Sequence, residues 1–138
     1  MEAWELEARE SIRDLVARYN GLGDAGRFDA MLALFLPDAV LEVDEQRFEG
    51  VEAIRALFEE AASATRLRAN GFVRHFTATH RIDFENPEAA SGRCYFQTLD
   101  ERGLDHWGRY VDEYRRVGGE WRFAHRRVRV EGRAAPRR

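Results

Sequence analysis

Three features of the 138-residue sequence predict an α+β fold. Helical periodicity fills most of the first half, a two-residue alternation takes over from about Arg74, and Asn-Pro-Glu, Glu-Arg-Gly and Gly-Gly turn signals divide that second half into four long strands. Helices first and an antiparallel meander afterwards make a domain in which helices cover one face of a sheet. A strongly curved sheet of this kind leaves a cavity between itself and the helices.

From Ala3 to about Asn20, Ile12, Leu15, Val16 and Tyr19 recur at three- and four-residue steps, with Glu7, Arg9, Glu10, Arg13 and Arg18 on other faces. This is an amphipathic helix, and the glycines of GLGDAG are expected to break it. Phe28, Met31, Leu32 and Phe35 form a second short apolar stripe ending at Pro37, which completes a helical hairpin. AVLEV and QRFEG read as two short strands. VEAIRALFEEAASATR then supplies a third helix with Ile54, Leu57, Phe58 and Ala61 on one face. The segments RHFTATHRIDF, SGRCYFQTL, HWGRYVDEYRRV and EWRFAHRRVRV are the four long strands. Phe28, Leu32, Phe35, Leu57, Phe58 and Trp121 are expected in the core. Residues 1–132 are expected to form one domain, and 133–138 a frayed tail.

Composition narrows the function. At 44% hydrophobic and 34% charged residues the chain is of ordinary globular type, too short for a second catalytic domain. The net charge of −3 calls for neither nucleic acid nor an anionic membrane as partner, although residues 101–138 carry 11 Arg against 6 acids. All 22 basic residues are Arg. The absence of lysine excludes Schiff-base chemistry and a Walker-type phosphate lysine. A single cysteine, Cys94, excludes an internal disulfide and a multi-cysteine metal site, and suits a reducing compartment. No run of 18 apolar residues occurs and the acidic start lacks the order of a signal peptide, so a cytoplasmic protein without membrane contact is expected.

In RHFTATHRIDF, alternation puts His75, Thr77, Thr79, Arg81 and Asp83 on one face and Phe76, Ala78, His80, Ile82 and Phe84 on the other. The two histidines are thus expected to point opposite ways, and His106 and His125 stand at no ligand spacing to His75. Neither a metal nor another cofactor is expected. His75 is either a structural hydrogen-bonding residue or a general base. Asp24, in the glycine-rich turn, either caps the second helix or reaches a ring nitrogen of His75. Tyr19 lies on the apolar stripe of the first helix, so its buried hydroxyl needs a partner or a ligand.

WRFAHRRVRV mixes apolar residues and Arg on both parities, which predicts a bulge or an inward Arg. The cationic strand face belongs either to a solvated or dimer-facing surface, or to one Arg that closes a pocket and holds an oxygen. Phe76, Ile82, Phe84 and Val128 are expected to leave apolar surface on the outer sheet face, hence a homodimer. The pocket is expected to take a small hydrophobic, cyclic molecule. Tyr19, Asp24, His75, Thr79 and Arg127 are its expected polar members, with Tyr110 as a further substrate contact.

Four segments together, ARYNGLGDAGRFDAMLALFLPDAVLEV, FEGVEAIRALFEE, RHFTATHRIDF and GRYVDEYRRVGGEWRFAHRRVRV, resemble the SnoaL-like branch of the nuclear transport factor 2-like superfamily over nearly the whole chain. The resemblance implies a cone-shaped α+β fold in which a curved, mostly antiparallel sheet wraps three N-terminal helices around a deep pocket. Scytalone dehydratase, bile-acid 7α-dehydratase and hexachlorocyclohexane dehydrochlorinase in that superfamily use an Asp–His pair as catalytic base, and Asp24 and His75 match it. The bile-acid enzyme's tyrosine, five residues before its aspartate, matches Tyr19, and its pocket arginine corresponds to Arg127 or Arg129. The base of ketosteroid isomerase falls on Val43 and the serine of scytalone dehydratase on Gly108, so those parts are not carried over. The resemblance thus implies a cofactor-independent lyase or isomerase, first of all a dehydratase that removes a proton beside a carbonyl. In it His75 would be the base, Asp24 its orienting group, Tyr19 a proton donor and Arg127 the partner of the enolate oxygen. A non-catalytic small-molecule-binding or partner-stabilising domain, or a polyketide cyclase, is the alternative.

Overall fold

The computed structural model describes residues 1–66 and 72–136. Helix α1 (Ala3–Asp24) and the short α2 (Phe28–Leu32) precede strands β1 (Phe35–Val43) and β2 (Gln46–Glu49). Helix α3 (Val51–Arg66) leads to β3 (Arg74–Asn86), β4 (Ala89–Asp100), β5 (Gly103–Val117) and β6 (Glu120–Arg133). The strands form one sheet in the order β2-β1-β6-β5-β4-β3, antiparallel throughout except where β1 runs parallel to β6. Sequential hairpins build the meander, and α1 and α3 cover one face of it.

Helix α1 buries Ala8, Ile12, Leu15, Val16, Tyr19 and Asn20, the stripe its periodicity dictates. It continues through Gly21 and Gly23 instead of breaking there, and the chain turns at Gly26, whose φ of 73° suits glycine. Gly23 serves close packing: a Cβ there would stand 3.0 Å from Met31 Cε of α2. α2 is shorter than expected. Leu34 accepts a hydrogen bond from Phe123 N–H, and Phe35 opens β1 rather than closing the helix.

Two bulges decide which side chains face the helices. In β3 the register steps from Ala78↔Tyr95 to Arg81↔Arg93 with one residue to spare on β3, and Thr79 takes a φ of 57°. Parity reverses there. His75 ahead of the bulge and His80, Ile82 and Phe84 after it all face inward, so the two histidines share a face, contrary to simple alternation. In β6 the step from Phe123↔Tyr114 to His125↔Glu113 leaves Ala124 unpaired. Trp121 and Phe123 before it, and Arg126 and Val128 after it, therefore point inward, while His125 and Arg127 turn outward to Glu42.

The core holds Leu32, Phe35, Phe58 and Trp121 buried, with Phe28 and Leu57 packed against it. The apolar surface expected outside is mostly inside. Ile82 is buried, Phe84 packs edge-on against Trp4 and Trp121, and Val128 lines the interior; of the four residues named, Phe76 is exposed, at 50%. β6 runs to Arg133, and Ala134 N–H donates to Asp105 O, while the last two residues of the expected tail, 137–138, lie outside the described residues. No helix among the described residues is long and apolar enough to cross a membrane.

Candidate functional site

Between the helices and the inner sheet face lies a cavity of about 430 Å³. Its walls are largely apolar, from Phe28, Met31, Leu41, Leu57, Phe58, Phe96 and Val128, and its polar members are Tyr19, Asn20, Asp24, His75, His106 and Tyr110. A concave apolar site with a few convergent polar groups is the usual form of a small-molecule pocket.

Asp24 ends α1 and His75 is the second residue of β3. The Asp24 carboxylate grips His75 twice: Oδ1 stands 2.6 Å from ring Nδ1, and Oδ2 accepts the backbone N–H at 2.8 Å. Asp24 does not cap α2, whose N-cap position is Arg27 and has no side-chain cap bond. A carboxylate at Nδ1 fixes the tautomer in which Nδ1 carries the proton and Nε2 the lone pair. Among the described residues no protein group is hydrogen-bonded to that Nε2. The ring, 26% exposed, borders the cavity while the carboxylate behind it is 10% exposed.

Asn20 lies one turn before Asp24 on the same helix face, and Tyr19 next to it also lines the cavity. Behind them sits Arg126, fully buried and paired through two bonds of 2.8 and 2.9 Å with the equally buried Asp112. Its guanidinium carbon stands 4.3, 3.8 and 4.4 Å from the ring centres of Tyr19, Tyr110 and Phe123, so the cation holds the aromatic floor of the cavity in place. Burial pushes the phenols of Tyr19 and Tyr110 above the ordinary tyrosine range, and Arg126 opposes this only in part. Both remain neutral O–H donors. Tyr110 gives its proton to Asn20 Oδ1 at 3.2 Å, so it offers a ligand ring surface rather than a hydroxyl.

Two expected members are elsewhere. Thr79 is the left-handed residue of the β3 bulge, exposed and away from the cavity. Arg127 lies outside because the Ala124 bulge reversed its parity; it pairs with Glu42 at 2.7 Å and is 47% exposed. Arg129 shares that outer parity and reaches Asp44 O. The inward arginine of this strand is Arg126. Nor could a side chain stand at Gly108, where a Cβ would overlap the Arg129 carbonyl oxygen.

His106 was not expected in the site, although it shares parity with Tyr110 along β5. Its Nδ1 lies 2.7 Å from Asp105 Oδ2 and 2.8 Å from Thr98 Oγ1, which leaves Nε2 as the ring's acceptor. Burial holds His106 below the usual histidine range against the opposing pull of Asp105. The His75 and His106 ring centres are 6.5 Å apart. Among the described residues no three His, Cys, Asp or Glu side chains are grouped to hold a metal ion.

Helices packed into the concavity of a six-stranded, curved, mostly antiparallel sheet, with a pocket between them, define the nuclear transport factor 2-like or cystatin-like fold. Residues 4–127 match the SnoaL-like domain, and the chain belongs to that family. No curated protein matches it by sequence. Among solved structures, a nuclear transport factor 2-like protein with a cystatin-like fold from Novosphingobium aromaticivorans is 27% identical, with 94% of this chain and 86% of that one covered and a TM-score of 0.78. A provisionally assigned scytalone dehydratase from the same organism is 21% identical over 99% and 94% of the two chains, with a TM-score of 0.84. The hexachlorocyclohexane dehydrochlorinase LinA-type3 from Novosphingobium barchaimii is 19% identical over 95% and 91%, with a TM-score of 0.81. At such identities the last two likenesses establish the fold.

Proposed function

We propose that the protein is a cofactor-independent lyase, a dehydratase acting on a small hydrophobic cyclic substrate, with His75 as its base. The observation that carries this reading is the 2.6 Å Asp24–His75 contact, which leaves the His75 Nε2 lone pair beside an apolar cavity. Histidine is the side chain suited to proton transfer near neutral pH without a metal. His75 Nε2 takes a proton from a ring carbon next to a carbonyl, and the electron pair passes into an enolate. The enolate then expels the β-hydroxyl, which leaves as water with the proton His75 has just taken. Asp24 stabilises the transient imidazolium and keeps the ring aimed. Tyr19, a neutral donor, hydrogen-bonds the departing oxygen, and neutral His106 accepts the hydroxyl hydrogen and orients the leaving group. The dehydratase and dehydrochlorinase assigned to two proteins of this fold are both eliminations, which favours this reading over a passive binding domain.

The test uses 3-hydroxy-1-tetralone, which becomes 1-naphthol on losing water. Formation of 1-naphthol above the buffer rate, lost in His75→Ala, is the expected result; no turnover by wild type on this or related cyclic β-hydroxyketones would count against the proposal.

The same proposal includes a homodimer across the outer sheet face. There Phe76, Tyr95 and Trp107 are exposed, and a row containing Arg81, Arg93 and Arg127 adjoins a row containing Asp83 and Glu113. Adjacent rows of opposite charge on one face are self-complementary under a twofold axis. A reducing, cytoplasmic setting suits the single, buried Cys94.

A further inference from the structure

Asn20 is 7% exposed and lines the cavity. Its two amide ends are not equivalent. Oδ1 accepts a hydrogen bond from the Tyr110 hydroxyl at 3.2 Å. That bond orients the amide and commits its oxygen. The nitrogen, Nδ2, is buried and has no hydrogen-bond partner among the described residues. A buried amide N–H without a partner costs free energy, so it is retained where something that enters the site can accept from it.

Position adds direction. Asn20 and Asp24 are four residues apart on α1, and side chains so spaced lie about 5–6 Å apart on one helix face. An oxygen held at Asn20 Nδ2 thus lies in the cavity that the His75 ring borders. The residue expected to hold such an oxygen, Arg127, is on the outer face, and Arg126, whose Nε and Nη2 bond Asp112 and whose Nη1 has no partner among the described residues, does not line the cavity. Beside the Tyr19 hydroxyl, Asn20 presents to the cavity a buried amide donor that no described residue accepts from.

We infer that Asn20 Nδ2 is the anchor for a substrate carbonyl oxygen, and that the cavity therefore selects cyclic ketones or enones over hydrocarbons and halocarbons of the same shape. This rests on the cavity being the substrate site. A neutral amide donor suits a neutral carbonyl and strengthens its hold as negative charge develops on the oxygen. A ligand without an acceptor leaves the amide unpaired, and rejection follows from that cost.

The test compares 2-tetralone with tetralin, the same bicycle without the oxygen, by titration calorimetry. The quantity read is the ratio of the two affinities, which cancels changes in cavity shape. In Asn20→Leu the preference for 2-tetralone should fall about tenfold while tetralin still binds. Tyr110→Phe, which removes one oxygen and releases the amide to rotate, should lower the preference in the same direction and serves if Asn20→Leu does not fold. A ratio within twofold of wild type, or higher, overturns the inference. Binding needs no proton transfer, so the ratio measured in a His75→Ala background reports on Asn20 even if the proposed base fails.

Discussion

The Asp24 carboxylate spends both oxygens on one residue, His75, which sets the ring's tautomer and its place in the strand together. His75→Ala should abolish proton abstraction with a melting temperature near that of wild type. Asp24→Asn should lower the rate by about 10²–10⁴-fold, since an amide permits the wrong tautomer and cannot balance an imidazolium. The buried Arg126–Asp112 pair predicts a stability contrast. Arg126→Met leaves Asp112 charged and unpaired in the interior and should cost about 3–5 kcal/mol in denaturant unfolding. Arg127→Ala, one residue on, should stay within about 1 kcal/mol and leave activity unchanged. His80 carries a pH dependence. Its Nε2–H donates to Tyr114, which donates to Asp112, and burial, aided by Arg13, lowers its pKa to about 4. Unfolded histidine protonates near about 6.5, so between those values the unfolded chain binds the extra proton. The stability from a neutral His80 is full above about pH 6.5 and is lost as pH falls toward about 4. Thermal melts across that range should drop for wild type and flatten for His80→Gln.

At the level of elements, what was legible in the sequence follows from periodicity. The stripe Ile12–Leu15–Val16–Tyr19 gives α1, the stretch from Val51 gives α3, and turn signals give the four-strand meander. Helix ends were less legible, because Gly21 and Gly23 signal a break in isolation but here allow α1 to continue and α2 to pack closely. The bulges at Thr79 and Ala124 were invisible to alternation. Each inserts one residue, and each moved an expected pocket residue, Thr79 or Arg127, out of the site while turning His80 or Arg126 to the inner sheet face, behind the cavity. Asp24, His75, Tyr19 and Tyr110 were legible because they lie ahead of the bulges or on unbroken stretches. His106 and Asn20 were not singled out, since polar residues beside apolar neighbours carry no signal until the fold brings them to one cavity. A β-branched residue in the left-handed region is strained, so Thr79→Gly should stabilise the protein by about 0.5–1 kcal/mol, or leave it unchanged where glycine's greater unfolded freedom offsets the relief. A loss above 1 kcal/mol would show that the threonine side chain supports the bulge.

Over the whole molecule, the sheet separates two environments. Its inner face is largely apolar, with the Arg126–Asp112 pair buried in it, and bounds the cavity; its outer face carries charge in rows together with exposed aromatics. Light scattering at micromolar concentration should give twice the 16.0 kDa chain mass, and Arg93→Glu should shift the protein toward monomer by placing like charges across the twofold. A monomer for wild type would remove the dimer from the account. The elimination proposed for the cavity depends on His75 acting there as a base, which no leaving group is needed to observe. The direct measurement is deuterium exchange at the carbon beside the carbonyl of saturating 2-tetralone in deuterated buffer, followed by proton NMR. Wild type should exchange this position well above the buffer rate and His75→Ala should not. Exchange by wild type at the buffer rate, or undiminished exchange by His75→Ala, would contradict the assignment of His75 as the base.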